Sequence, residues 1–359
     1  RRREDLILCY KKQNTKTATR IHNMKILWKN SRLLIVVLLL KGYASAGEVV
    51  DHVYKKKTFE GSKNRQYSVF LPEGQGTGEA LPLVVVLHGC NQTHRDIMND
   101  TRFNDLAEAE KFIVVYPFVT SYDGLRYTNC WGYWFDNEIH QGQGEVADIA
   151  GIITEVQNTY SIDSNRIHIT GLSSGGAMAT AVMVAYSEII ASGAPAAGTA
   201  YGETACAVRG ICLSFNWFNP ETWFDWWAPK FETTEETVRD MAKEMGSDKR
   251  LVPVLKLHAT SDPKVEVAAA RNSAAAWAAL FGIDMTTPVV SEVGETDGLT
   301  WHYNRYGSYG DESAIETHFV DGPGHAWVGG GQGPYADPEG PDWAAIAWAF
   351  FKAHPMIER

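Results

Sequence analysis

The chain has 359 residues, 45% hydrophobic and 21% charged, which is enough to bury one large core or two small ones and too apolar to stay disordered. No apolar run reaches the roughly 18 to 20 residues that cross a bilayer as a helix, so a multi-span membrane protein is excluded. Residues 1–46 hold 11 Lys/Arg against 2 Asp/Glu, and residues 47–359 hold 22 against 41. A body with that acidic excess and no basic run repels a phosphate backbone, so nucleic acid is not an expected partner.

From Met24 the chain reads MKILWKNSR, then the apolar run Leu33–Leu40, then KGYASA. A basic start, a short apolar stretch and Ala44-Ser45-Ala46 predict a secretory signal peptide over 24–46, cleaved after Ala46. Residues 1–23 then read as an upstream extension or tag. Residues 47–359 read as one catalytic domain that leaves the membrane after cleavage and is secreted, extracellular or periplasmic. Export leaves Cys90, Cys130, Cys206 and Cys212, an even number in an oxidising compartment, which predicts two disulfides with three possible pairings. No Cys pair has the spacing of a zinc knuckle, and neither a metal nor a cofactor is expected. Asn91-Gln92-Thr93 and Asn99-Asp100-Thr101 match the glycosylation pattern.

Within the body, the run LPLVVVL ending at Leu87, then Phe112–Tyr116, Arg166–Thr170 and Val252–His258 have the length and continuous apolarity of strands buried on both faces. Helical patterns lie between and after them, over Glu145–Tyr160, Ala177–Tyr186, Val267–Phe281 and Asp342–His354. In the first of these, Val146, Ile149, Ile152, Ile153 and Val156 recur at three and four and mark one buried face. Strand alternating with helix predicts a doubly wound, mostly parallel α/β sheet.

After the third strand comes Gly171-Leu172-Ser173-Ser174-Gly175, then a helix. A G-x-S-x-G turn between strand and helix is a nucleophile elbow, and it predicts the α/β-hydrolase fold. The turn leaves no space for side chains at Gly171 and Gly175. The helix beyond aims backbone N–H groups at any oxyanion formed on Ser173. One such donor is the N–H of Ser174. The other is expected from the loop Leu87-His88-Gly89-Cys90, at Cys90. His88 itself reads as a structural hydrogen-bonder.

The rhythm breaks over residues 203–250. Phe215–Trp227 holds seven aromatics in 13 residues, where the chain average is 11%. This stretch predicts either a packed excursion or a cap of rings over a substrate cleft. Beyond it, the strand Val252–His258 runs into a polar turn with Asp262 at its tip. Later, Thr317–Val320 leads into the glycine-rich loop that carries His325. A serine needs a base and an orienting acid, in this fold supplied downstream in the order acid, then histidine. Asp262 and His325 fit that order. The rivals are Asp297 and Asp321 for the acid and His302, His318 and His354 for the base. His318 lies within a strand and His354 near a helix end, so neither tops a loop.

LHGCNQT at 87–93, CWGYWF at 130–135, GLSSGGAM at 171–178, HATSD at 258–262, GPGHAW at 322–327 and YADPEGPD at 335–342 occur in this order. The set resembles the extracellular polyhydroxybutyrate depolymerase family and its relatives, the feruloyl and acetylxylan esterases, over nearly all of residues 50–354. The resemblance implies Ser173 as nucleophile, Asp262 as acid, His325 as base, and Cys90 and Ser174 as oxyanion donors. It also implies the bridges Cys90–Cys130 and Cys206–Cys212, and Trp327 as a wall of the substrate site. Trp131, Trp134 and Trp223 of the aromatic stretch are further candidates for substrate contact. The expected function is a secreted serine esterase acting on an extracellular ester. A polyester of the polyhydroxyalkanoate or polylactide type comes first, and feruloyl or acetyl groups on plant polysaccharide are the alternative. A serine peptidase and a non-catalytic binding protein on the same fold are the competing classes.

Overall fold

Along Leu81–Leu87 the side chains alternate between two cores. Leu83, Val85 and Leu87 pack on one side of the sheet and Val84 and Val86 on the other, all inaccessible to solvent. A strand without a polar face requires layers on both sides, and that is the architecture of this computed structural model. It describes residues 47–74, 78–119, 128–209, 229–247 and 250–357, and the elements below belong to one compact unit, Ser45–Arg359.

Ten strands form the sheet: β1 (Glu48–Tyr54), β2 (Arg65–Leu71), β3 (Leu81–Leu87), β4 (Ile113–Pro117), β5 (Ile162–Leu172), β6 (Ser192–Ala196), β7 (Val254–Ala259), β8 (Val290–Thr296), β9 (Leu299–Tyr306) and β10 (Ile315–Val320). Their spatial order is β1-β2-β4-β3-β5-β6-β7-β10-β9-β8. The six strands from β4 to β10 run parallel, and each edge continues as an antiparallel pair. Helices α3 (Gly144–Thr159), α4 (Ser174–Ala185) and α6 (Val267–Phe281) cover one face; α1 (His94–Thr101), α2 (Phe103–Glu110) and α7 (Trp343–Ala353) cover the other. The doubly wound, mostly parallel expectation therefore holds, and the fold is that of the α/β-hydrolases.

The predicted helices appear within three residues of their expected limits. Several elements carry no apolar run and escape sequence reading. In β6, the small residues of SGAPA are buried between β5 and β7. The β8–β9 hairpin is built from half-exposed mixed sequence and turned by Asp297-Gly298, both at positive φ, as a two-residue hairpin loop requires. Helix α5 (Thr234–Met245) opens with a capping box between Thr233 and Glu236 and packs on α4 and α6. It forms the C-terminal end of the region read as a cap. The aromatic run Phe215–Trp227, with Trp223, lies outside the described residues.

Candidate active site

The sharp turn after β5 puts Ser173 at φ 60° and ψ −121°, a backbone region that a side chain enters only under constraint. The constraints are visible. The Ser173 N–H donates to Ala196 O at 3.0 Å, and its carbonyl accepts the Ala177 N–H at 3.0 Å. A Cβ on Gly175 would lie 2.3 Å from Leu87 O, and one on Gly171 would lie 2.6 Å from Gly175 O. Only glycine lets β5, α4 and the end of β3 approach this closely. Ser173 itself remains partly exposed.

Asp262 follows β7 and is buried. Its Oδ1 accepts the N–H groups of Lys264 at 2.8 Å and Val265 at 3.0 Å, which fixes the carboxylate. Its Oδ2 stands 2.6 Å from Nδ1 of His325. Burial by itself would raise this carboxyl's pKa, but the His325 hydrogen bond and charge, with the Lys264 N–H, hold it below the usual carboxylate value. With Nδ1 committed to Asp262, Nε2 is the ring nitrogen left for a substrate or nucleophile.

The loop after β3 abuts the elbow, since a Cβ on Gly89 would meet the Ser173 Cβ at 3.2 Å. Most backbone N–H groups of this loop have partners. The N–H of Gly89 goes to Gln92 Oε1, that of Asn91 to Thr128 O, that of Gln92 to Gly89 O and that of Thr93 to Asp96. Among the described residues, no partner takes the N–H of Cys90. The disulfide Cys90–Cys130 anchors the same loop. Cys206 is also disulfide-bonded, and its expected partner Cys212 lies outside the described residues. His88 is buried; its Nδ1 donates to Gly89 O at 2.8 Å and its Nε2 accepts the Val119 N–H at 3.2 Å. Burial pushes its pKa down to about 4, so it is a neutral brace.

Two residues that motif reading passes over complete the loop's support. Gln92 Oε1 accepts from Gly89 N at 2.6 Å while its Nε2 donates to Asp100 Oδ2 at 2.7 Å. Asp100 is buried at the end of α1, and its backbone oxygen accepts the Gly331 N–H at 2.8 Å. The oxyanion loop and the segment following His325 therefore share one anchor. Gln92 lies among polar neighbours, Asn91 and Thr93, so neither it nor its partner eight residues on stood out in the sequence.

The sequence rivals are occupied elsewhere. His302 Nε2 lies 2.9 Å from Asp321 Oδ2. His354 is enclosed, with both ring nitrogens facing carbonyl oxygens of Phe350 and Ser313. His318 is buried in β10 beside Trp301. Two expected substrate contacts are corrected. Trp327 is wholly buried, edge-on to Phe103 and Trp343, because the residue two beyond His325 already points into the α2/α7 core. Trp131 is likewise wholly buried, against His88. Trp134 is partly exposed and lines a cleft with His140 and Tyr201.

The fold and the elbow define an α/β-hydrolase. Comparison with known proteins narrows the class. The family model described as Esterase PHB depolymerase matches residues 65–214. Poly(3-hydroxyalkanoate) depolymerase C of Paucimonas lemoignei is 27% identical over 313 residues, 86% of this chain and 69% of the relative. Feruloyl esterase B of Thermothelomyces thermophilus is 26% identical over 276 residues, 73% of this chain and 84% of the relative. Among solved structures, an acetyl xylan esterase from Aspergillus awamori superposes with TM-score 0.62 at 19% identity, covering 84% of this chain and 99% of its own, a likeness of fold. The chain has the α/β-hydrolase fold and is similar in sequence to a poly(3-hydroxyalkanoate) depolymerase and to feruloyl and acetylxylan esterases.

Proposed function

We propose that this protein is a secreted serine esterase that cleaves extracellular carboxylic esters by acyl transfer to Ser173. His325 takes the serine proton through Nε2 and returns it to the leaving alcohol. Asp262 holds the imidazole and stabilises its charged form. The N–H groups of Cys90 and Ser174 receive the oxyanion of the tetrahedral intermediate. Water then repeats the sequence on the acyl-enzyme, releasing the acid. Secretion rests on the leader at 24–46, with 47–359 as the catalytic domain.

The observation that carries the reading is the 2.6 Å contact of His325 Nδ1 with Asp262, at the C-terminal edge of the parallel strands that also present Ser173. An aliphatic polyester of the polyhydroxyalkanoate or polylactide type is the first substrate class, because the depolymerase relative aligns with 86% of the chain. A feruloyl or acetyl ester on plant polysaccharide is the second, supported by the feruloyl esterase relative at 73%. The test is Ser173→Ala assayed on a short nitrophenyl ester. Turnover should fall on the order of 10³-fold or more with the circular dichroism spectrum unchanged. A folded variant with normal turnover overturns the reading. Rates on polyester film, methyl ferulate and acetylated xylan then rank the substrates.

A further inference from the structure

A trough of about 510 Å³ runs between the β9–β10 wing and α7, and none of Ser173, Asp262 or His325 lines it. Its volume lies in the range of small-ligand sites. Its floor follows from strand register. Trp301 pairs with Gly294 and Val320, and Tyr303 pairs with Glu292 and His318, so all these positions share one face of the wing. A Cβ on Gly294 would come within 2.2 Å of the Trp301 indole. The missing side chain is what lets the indole lie across the strand. Its Nε1 donates to Thr296 Oγ1 at 3.2 Å, and it stacks beside the His318 ring at 5.6 Å between centroids. The Tyr303 hydroxyl donates to Glu316 at 2.6 Å, which fixes the second ring.

The facing wall is α7, a helix otherwise rich in Trp and Phe. Toward the trough it turns Ala345 and Ala349, both exposed and one helical turn apart. Larger side chains there would fill the space. His318, only 4% exposed, stacks against that indole and backs the floor. The exposed carboxylates of Glu292 and Asp342 stand on the rim, and Arg305, paired with Glu316 at 3.3 Å and Glu312 at 3.6 Å, also lines the trough.

We propose that this trough binds a neutral glycan chain. A pyranose ring offers a C–H face to an indole and hydroxyl groups at its edge, which donate to carboxylates and accept from a guanidinium. A polyester chain offers C–H groups and carbonyl oxygens, which Arg305 can meet, but no donors, so it would leave the rim carboxylates facing acceptors. An acidic polysaccharide would be repelled by those carboxylates and by the 41 acidic against 22 basic residues of the body. Such a site would hold the enzyme on a polysaccharide surface whatever acyl group is removed, and it does not depend on the triad.

Binding is therefore measured on the Ser173→Ala protein, by calorimetry and tryptophan fluorescence, with xylopentaose and cellopentaose as probes. A trimer of 3-hydroxybutyrate and a galacturonate oligomer serve as controls. At least one neutral pentasaccharide should bind saturably and tighter than either control. Trp301→Ala and Ala349→Arg should each weaken it tenfold or more. Ala349→Arg alters an exposed helical position and should fold even if Trp301→Ala does not. The same two changes made with Ser173 intact should leave nitrophenyl acetate turnover within twofold. Absence of binding by both pentasaccharides, binding unaffected by Ala349→Arg, or tighter binding of either control overturns the proposal. None of these results bears on whether Ser173 is the nucleophile.

Discussion

His325 Nδ1 and Asp262 Oδ2 meet at 2.6 Å although 63 positions separate them in the chain. They stand on loops that follow β7 and β10, neighbouring parallel strands. Further hydrogen bonds stitch those loops together. Asp321, at the end of β10, accepts from Thr260 Oγ1 at 2.8 Å and faces His302 at 2.9 Å, and the Thr260 N–H donates to Val320 O at 2.8 Å. The residues that compete for the triad in sequence thus brace it in space.

His325→Ala should therefore be inactive at every pH, while His302→Ala keeps the wild-type pH profile with a modest loss of stability. Wild-type activity should decline toward acid, because an imidazolium cannot accept the serine proton. Asp262 does not set that limb, since its carboxyl is held below the usual value and stays ionised through it. The check is kcat/KM on a nitrophenyl ester from pH 5 to 9 for the three proteins. A His302→Ala profile displaced from wild type, with His325→Ala active, would move the base to His302.

Gln92→Ala should lower kcat by about 10- to 100-fold with KM little changed, the scale expected when an oxyanion donor loses its positioning. The amide fixes Gly89, one residue before Cys90, whose N–H has no partner among the described residues. Its removal also leaves Asp100 buried without its 2.7 Å donor, a cost of roughly 1 to 3 kcal/mol. Steady-state kinetics and urea unfolding separate the two effects. Loss of stability with unchanged kcat would reduce Gln92 to a structural brace.

What was legible in the sequence divides along physical lines. The elbow was readable because Gly171 and Gly175 are demanded by backbone contact, a constraint that leaves few alternatives. Buried strands such as β3 announce themselves by unbroken apolar runs. The β8–β9 wing does not, since β8 is largely exposed and β9 half-exposed throughout; Asp297-Gly298 was its only local signal. Trp327 was misjudged because adjacency to His325 says nothing about side-chain direction, and here it enters a core shared with Phe103 and Trp343. Gln92 and Asp100 act through side-chain pairing, which a single sequence does not display.

The Cys90–Cys130 bridge closes a separation of 40 residues, and loop entropy assigns it about 4 kcal/mol. Because Asn91 hydrogen-bonds to Thr128 beside it, the bridge also holds the oxyanion loop against the segment leading to Trp131. Replacing both cysteines by serine should lower stability by about 3 to 4 kcal/mol in urea unfolding and reduce kcat at a temperature where the variant remains folded. Full kcat in the folded double variant would confine the bridge to stability.

Asp100 gives a pH dependence of opposite sign to an ordinary paired carboxylate. Burial pushes its pKa up to about 6 from 3.8, against the pull of the Gln92 hydrogen bond. Between these values the folded protein binds more protons at this site than the unfolded chain, so the site's contribution to stability falls as pH rises through that window and is level above it. Asp100→Asn stays neutral and can still accept from Gln92. Relative to this variant, the wild-type protein should lose roughly 1 to 2 kcal/mol of stability between pH 4 and pH 7. Urea unfolding of both proteins at pH 4, 5.5 and 7 measures that difference directly, with other titrating groups common to both. A constant difference, or one that favours the wild type as pH rises, would mean that Asp100 is solvated or paired more strongly than its hydrogen bonds indicate.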